Sequence, residues 1–136
     1  ASALFPMIQF SLDVWNREEN RVAECCKKAM DLRGTFVPYI QELLENASHT
    51  GIPAIRYLEY QFPNENLGDV KDQFMLGDKY MVAPVLEKGT LERRVRFPEG
   101  RWRDITDGRI FCGGEATVDA PLDKLPVFER VEEKTV

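Results

Sequence analysis

Histidine is almost absent from this 136-residue chain, with His49 the only one. A single imidazole leaves Ser-His-Asp and Cys-His catalysis without a base, and no G-x-S-x-G run presents a serine nucleophile. Metal chemistry is excluded on the same ground, because a zinc or iron site needs several convergent ligands at fixed spacing. His49 itself falls near a helix end, where it reads as a residue that complements the dipole. Cysteine is scarce too: of the three, Cys25 and Cys26 are adjacent, which disfavours a mutual disulfide and matches no C-x-x-C pair. They read as free thiols in a reducing compartment, and the chain as cytoplasmic. Asn46-Ala47-Ser48 has the form of a glycosylation sequon, but it lies in a helical pattern and would matter only in a secreted protein. No apolar run approaches the roughly 20 residues of a membrane span, and Ala1-Ser2-Ala3-Leu4 lacks the charged start of a signal peptide. Positive charge is not in excess: 18 Lys and Arg against 23 Asp and Glu give a net charge of -5. That balance argues against nucleic acid or an anionic membrane surface as a partner. No glycine-rich phosphate loop opens a helix, and Gly113-Gly114 reads as a turn, so no cofactor is implied.

With 43% hydrophobic and 30% charged residues, the chain has material for one medium core. Leu4 to Phe10 is a short apolar run of the kind that forms a buried parallel strand, and polar Ser11 and Asp13 follow it. From Arg17 the period becomes helical, with Asn16 a candidate N-cap and Glu18 and Glu19 suited to the first turn. Pro38 predicts a break into two helices, and Gly51 followed by Pro53 predicts the end of the second. Ile52 to Phe62 reads as another buried strand, so residues 1–65 are expected to form a strand, two helices and a strand. Asn64 to Gly68 is a polar boundary. Beyond it, short β-rich runs over Tyr80–Leu86, Arg93–Phe97, Arg101–Ile105, Arg109–Cys112, Ala116–Val118 and Pro126–Val131 predict an antiparallel β-sandwich over residues 66–136. The expected class is therefore α+β.

Carboxylates are the remaining reactive groups. Most stand beside glycine or in turns, where aspartate caps backbone amides. Asp13 differs, because it would follow a strand at its carboxyl end, where active-site residues of α/β sheets gather. Glu59 could point inward from the second strand and pair with Arg56. Among aromatics, Trp15 in the loop after the first strand could pack on a sugar face, whereas Trp102, between Arg101 and Arg103 in an alternating run, reads as packing.

Several runs taken together resemble one family. Leu32-Arg33 with Val37-Pro38-Tyr39-Ile40-Gln41-Glu42-Leu43, then Gly51-Ile52-Pro53-Ala54-Ile55-Arg56, Phe62-Pro63, and Asp72-Gln73-Phe74-Met75-Leu76-Gly77-Asp78 with Val82-Ala83-Pro84-Val85 resemble the C-terminal part of glycoside hydrolase family 31. Phe97-Pro98-Glu99-Gly100-Arg101-Trp102-Arg103-Asp104 and Val118-Asp119-Ala120-Pro121-Leu122-Asp123-Lys124-Leu125-Pro126-Val127-Phe128 continue the resemblance in order. It implies that residues 1–65 end a (β/α)8 catalytic barrel and that residues 66–136 are the proximal β-sandwich. It also implies a parent that is a retaining α-glycosidase acting on a carbohydrate substrate, whose nucleophile and acid/base aspartates lie on earlier strands. No catalytic residue is therefore expected in this chain. Gln9, Phe10 and Ser11 replace the family's frequent Arg-x-His run, and by this alignment Gln9, Ser11, Asp13 and Trp15 are the substrate-binding candidates.

The expectation is a fragment inactive by itself, which self-associates through exposed barrel edges at Leu4, Phe5, Met7, Ile8, Ile55 and Leu58. Two rivals stand beside it: a stand-alone β-sandwich for carbohydrate binding or assembly, and an enzyme of other chemistry using Asp13 and Glu59.

Overall fold

Alternating side chains in the last third of the chain build its two longest strands, an antiparallel hairpin of β4 (Glu92–Asp104) and β5 (Ile110–Asp119). The structure, a computed structural model, describes residues 1–16 and 21–132. Val95 and Phe97 point inward at odd positions, while Trp102 and Asp104 point inward at even ones, so parity reverses between them. The reversal falls at the register shift between Phe97 and Arg101, where residues 98–100 of β4 stand against the single Gly113 of β5 in an irregular bulge. Pro98-Glu99-Gly100 and Gly113-Gly114, both expected as turns, lie inside these strands. Gly100 at φ 113° and Gly114 at φ 86° supply backbone that a side chain would resist, and the hairpin stays continuous.

The remaining strands are short: β1 (Ile55–Arg56), β2 (Phe74–Leu76), β3 (Tyr80–Val82) and β6 (Val127–Val131). All pair antiparallel in a six-stranded sheet of order β1-β2-β3-β6-β4-β5. The middle strands are buried on both faces. Met75, Met81 and Phe128 join Val95, Phe97, Trp102 and Val118 in one core, together with Leu58, Phe62 and Leu67 from outside the sheet. Their neighbours Leu76, Val82 and Val127 join Leu4, Phe36, Ile40 and Leu43 in a second core beneath a helix. Chain segments on both sides of position 65 thus share that second core.

That helix, α1 (Val22–Thr50), runs 29 residues without a break. The expected split at Pro38 does not occur. Phe36, Ile40 and Leu43 flank the proline and bury against the same sheet face, which offsets the one lost backbone bond. Gly51 ends the helix as expected, at φ 74° with its N–H donating to the Ala47 carbonyl at 2.9 Å. Arg21 occupies the N-cap, so Asn16 does not, and Arg17, Glu18 and Glu19 lie outside the described residues.

Two strand expectations fail. Leu4 to Phe10 contains only the end of a 3-10 turn (Ser2–Leu4), with no regular structure after it. A parallel strand needs a neighbouring ladder, and no other strand pairs here. Ile52 to Phe62 gives the two-residue β1 and the one-turn helix α2 (Leu58–Gln61). Because β1 pairs antiparallel with β2, the described residues contain no βαβ unit.

The Asp72–Val85 run earns its residues physically. Gln73, 3% exposed, donates from Nε2 to the Arg96 carbonyl and accepts from the Arg96 N–H, each at 2.8 Å. It thereby serves β4 as a substitute strand neighbour. Gly77 turns β2 into β3 at φ 64°, and a Cβ there would stand 2.2 Å from the Tyr39 hydroxyl. Tyr39 donates from that hydroxyl to the Leu76 carbonyl at 3.3 Å, and burial, with the nearby Asp78 charge, pushes its phenol up to about 12. A raised native value means the folded state holds its proton after the unfolded phenol, near 10, has lost it. The contribution of Tyr39 is therefore full below about pH 10 and declines from about 10 to 12. Tyr39→Phe should show a smaller loss of urea midpoint between pH 9 and pH 11.5 than the unchanged chain. Equal losses in the two proteins would contradict the assignment.

Candidate functional site

Leu4 is fully buried in the helix-side core, and the ring of Phe5 packs on Phe74 at 5.2 Å, so the start of the chain is pinned to the sheet. Arg33 completes the attachment. Its guanidinium, on α1, donates to the carbonyls of Ala3, Phe5 and Pro6 at 2.8, 2.6 and 3.0 Å, which gives these groups the partners that a strand ladder would otherwise supply. Arg33 was not legible as a site-positioning residue. Its sequence signals were its place with Leu32 among the runs that resemble the family, and a long cation on the side of a helix next to the core face.

Beyond Pro6 the chain forms one exposed loop that carries all four candidates. Asp13 organises it: Oδ1 accepts from the Trp15 N–H at 3.3 Å, and Oδ2 accepts from Asn16 Nδ2 at 2.6 Å. The Trp15 ring lies 5.6 Å from that of Phe10 and is 53% exposed. Gln9 and Ser11 are exposed on either side of Phe10. Asp13 and Trp15 are thus brought together. The loop presents an amide, a hydroxyl, a carboxylate and an indole face, a set that can hydrogen-bond hydroxyls and cover C–H groups. The strand expected to carry Asp13 at its carboxyl end is absent, and the loop hangs instead from Arg33.

Behind the anchored start lies an open, mostly apolar cleft of about 380 Å³ between Phe5, Ile55, Tyr57, Phe74 and Leu86. Gln9, Ser11, Asp13 and Trp15 lie outside its lining. Glu59 is exposed on α2, its carboxylate close to Gly68, while Arg56 donates to Gln61 and to the Pro53 carbonyl. The expected inward Glu59–Arg56 pair therefore does not form, because residue 59 is helical and not in a strand. Leu4 and Leu58 are fully buried, so they cannot serve as contacts to another molecule, whereas Met7 is 86% exposed.

The carboxylates with lowered pKa values are held by cations and backbone amides. A hydrogen bond from Arg21 brings Glu24 down to about 2, and Lys28 lowers Asp123. The Arg109 backbone N–H, then its side chain, lowers Asp107. Burial pushes Glu129 up, but hydrogen bonds from Arg103 and Lys79 outweigh it and leave the group lowered. Such pairs tie elements together. Among the described residues no group of three or more His, Cys, Asp or Glu could hold a metal ion. The three cysteines are unpaired, and no described helix is long and apolar enough to cross a membrane.

Residues 51–133 match the C-terminal domain of glycosyl hydrolase family 31. The chain is 34% identical over 104 residues to alpha-glucosidase 2 of Bacillus thermoamyloliquefaciens, covering 75% of this chain and 13% of that protein. It is 37% identical over 111 residues to the mouse myogenesis-regulating glycosidase, covering 81% and 15%. Its fold superposes with a TM-score of 0.82 on a family 31 alpha-xylosidase from a soil metagenome, solved with xylose, at 34% identity over 94% of this chain and 19% of that one. The chain thus spans between an eighth and a fifth of the length of these relatives. It belongs to glycosyl hydrolase family 31, whose C-terminal domain it carries.

Proposed function

We propose that this chain serves a retaining α-glycosidase as its C-terminal part, closing the catalytic barrel with residues 1–65 and continuing into a β-sandwich from residue 66. The observation that carries this reading is the family match over residues 51–133, together with the small share of each glycosidase relative that the chain spans. In this reading the loop of Gln9, Ser11, Asp13 and Trp15 forms one wall of a sugar pocket, with Asp13 holding the loop's shape and Trp15 offering a ring face. The unpaired thiols support a cytoplasmic setting.

The chain alone should not hydrolyse glycosides. Retention needs two carboxyl groups about 5 to 5.5 Å apart, one to attack the sugar and one to protonate the leaving oxygen. The loop supplies one carboxylate, and Asp13 already spends both its oxygens on Trp15 and Asn16. Aryl α-glucosides and α-xylosides incubated with the purified chain should release phenol at the buffer rate. Turnover above that rate that vanishes in Asp13→Asn would overturn the reading. In the longer enzyme, Gln9→Ala and Ser11→Ala should each weaken substrate binding by roughly 1 to 3 kcal/mol, as expected for an unpaired polar partner. Unchanged KM in both variants would remove this loop from the pocket.

A further inference from the structure

Residues 7–16 carry their own bracing. Asp13 accepts from the Trp15 N–H and from Asn16, and the Phe10 and Trp15 rings lie 5.6 Å apart. Among the described residues, both hydrogen bonds of this unit are internal to it. The bonds that fasten the start of the chain to α1 end one residue earlier, at Pro6. Arg33 is the fastening group. Its Nη1 donates to the Ala3 and Phe5 carbonyls and its Nη2 to the Pro6 carbonyl, so one planar fork grips three carbonyls within four residues. Leu4, inside that stretch, is fully buried. A buried side chain and three held carbonyls fix the backbone of residues 3–6, and with it the direction in which residue 7 leaves. Arg21, Arg93, Arg94, Arg103 and Arg109 all reach carboxylates, whereas the described hydrogen bonds of Arg33 go to backbone alone. Its guanidinium serves shape and not charge pairing.

We propose that Arg33 is a positioning residue for carbohydrate binding: its grip on the Ala3, Phe5 and Pro6 carbonyls aims the braced loop of Gln9, Ser11, Asp13 and Trp15 at the sugar. The inference rests on the reading of that loop as a wall of the sugar pocket, and adds to it the residue that orients the wall. Arg33 hydrogen-bonds none of the four side chains, so it acts through the backbone and not on the sugar. The loop offers contacts and no reacting group. Its displacement therefore weakens ground state and transition state alike, which raises KM and leaves kcat in place. A lysine could not substitute fully, because an ammonium is a point charge on a flexible stem and lacks the fixed fork that spans three acceptors.

The chain's two tryptophans make the test readable. Trp15 reports the loop, and the fully buried Trp102, whose indole donates to the Pro98 carbonyl, reports the core. In nitrogen-15-labelled chain the two indole N–H groups give separate resonances whose relaxation reads order on the fast timescale. Arg33→Met keeps the bulk of the side chain and removes its donors. It should lower the Trp15 order parameter into the flexible range, below about 0.6, while the Trp102 resonance stays in place. Arg33→Lys should fall between the two. In the longer enzyme, with an aryl α-glucoside or α-xyloside as substrate, Arg33→Met should raise KM at least about fivefold with kcat within about twofold, and Arg33→Lys should recover part of the loss. Unaltered Trp15 order in Arg33→Met overturns the proposal. So does a Trp102 resonance lost together with that of Trp15, which would make Arg33 a residue of the fold alone, or a KM unmoved by Arg33→Met while Gln9→Ala and Ser11→Ala raise it. A freed Trp15 with KM unmoved in all of these variants would instead overturn the pocket reading on which the proposal rests.

Discussion

Replacing Trp102 with alanine should lower the stability of this chain by about 3 to 5 kcal/mol, a large share of the roughly 5 to 15 kcal/mol that holds a domain of this size folded. The indole is fully buried and meets the Phe62 ring edge-on at 6.0 Å, in the core that also holds Val95, Phe97 and Phe128. Its Nε1–H donates to the Pro98 carbonyl at 2.9 Å, inside the segment where the register of β4 shifts. The side chain therefore does two things at once. It fills the core, and it satisfies a carbonyl that the irregular stretch has removed from the ladder. Alanine would leave both a cavity and an unpartnered carbonyl. Phenylalanine would keep most of the volume and lose only the hydrogen bond, so Trp102→Phe should cost about 1 to 3 kcal/mol. Urea unfolding of both variants measures the difference. A loss below about 0.5 kcal/mol for the alanine variant, the range of ordinary surface changes, would mean that the ring lies outside the core.

Trp102 also shows what alternation along a strand reveals. Exposed Arg101 and Arg103 flank a buried tryptophan, a period of two that needs no knowledge of the partner strand. The same local signals marked Gly51 as a helix end and Pro126–Val131 as a strand, which the structure forms over Val127–Val131. Signals of that kind failed where an element depends on distant neighbours. Pro98-Glu99-Gly100 and Gly113-Gly114 carry turn chemistry, but they are paired across one hairpin as a bulge, and only the register shows it. Pro38 is a helix breaker by local rule, yet burial on both sides of it keeps α1 whole. Leu4 to Phe10 has strand composition, but a strand also needs a ladder, and these carbonyls find Arg33 instead.

The candidate loop divides in the same way. Asp13 accepts from the Trp15 amide two residues on, as turn aspartates do, although the strand expected before it had set it apart from them. That the loop is held by a helix residue 27 to 30 positions after the carbonyls it binds was not legible, since a side-chain contact to backbone leaves no pattern in either segment. The family resemblance ran from Leu32-Arg33 through the Asp72–Val85 run and beyond. Within the Asp72–Val85 run, Gln73 and Gly77 have physical reasons to be those residues: one completes the hydrogen bonding of β4 and the other admits Tyr39 against the turn.

Removing the Asp104 carboxylate should be as damaging as removing Trp102, and the way the loss is shared with Lys124 identifies its cause. Asp104 is fully buried at the end of β4, accepting from the Thr106 N–H at 2.8 Å and from Lys124 Nζ at 2.9 Å, while the Lys124 side chain is 12% exposed. Its own N–H donates to the Arg109 carbonyl and its carbonyl accepts from the Gly108 N–H, so this one residue closes the β4–β5 turn and ties it to the loop before β6. Asp104→Leu would leave a nearly buried ammonium without a counter-charge, and Lys124→Met would leave a buried carboxylate without one. Breaking such a pair from either side costs about 3 to 5 kcal/mol, whereas replacing both partners by apolar residues of similar volume can be close to neutral. The double variant Asp104→Leu, Lys124→Met should then be more stable than either single one. It should fall short of the unchanged chain by about 1 to 3 kcal/mol, because the Thr106 N–H still loses its acceptor. Urea midpoints of the four proteins form a double-mutant cycle that reads the coupling directly. Losses that add to within about 0.5 kcal/mol would show that the two charges are each satisfied by water and that the turn is held by its backbone alone.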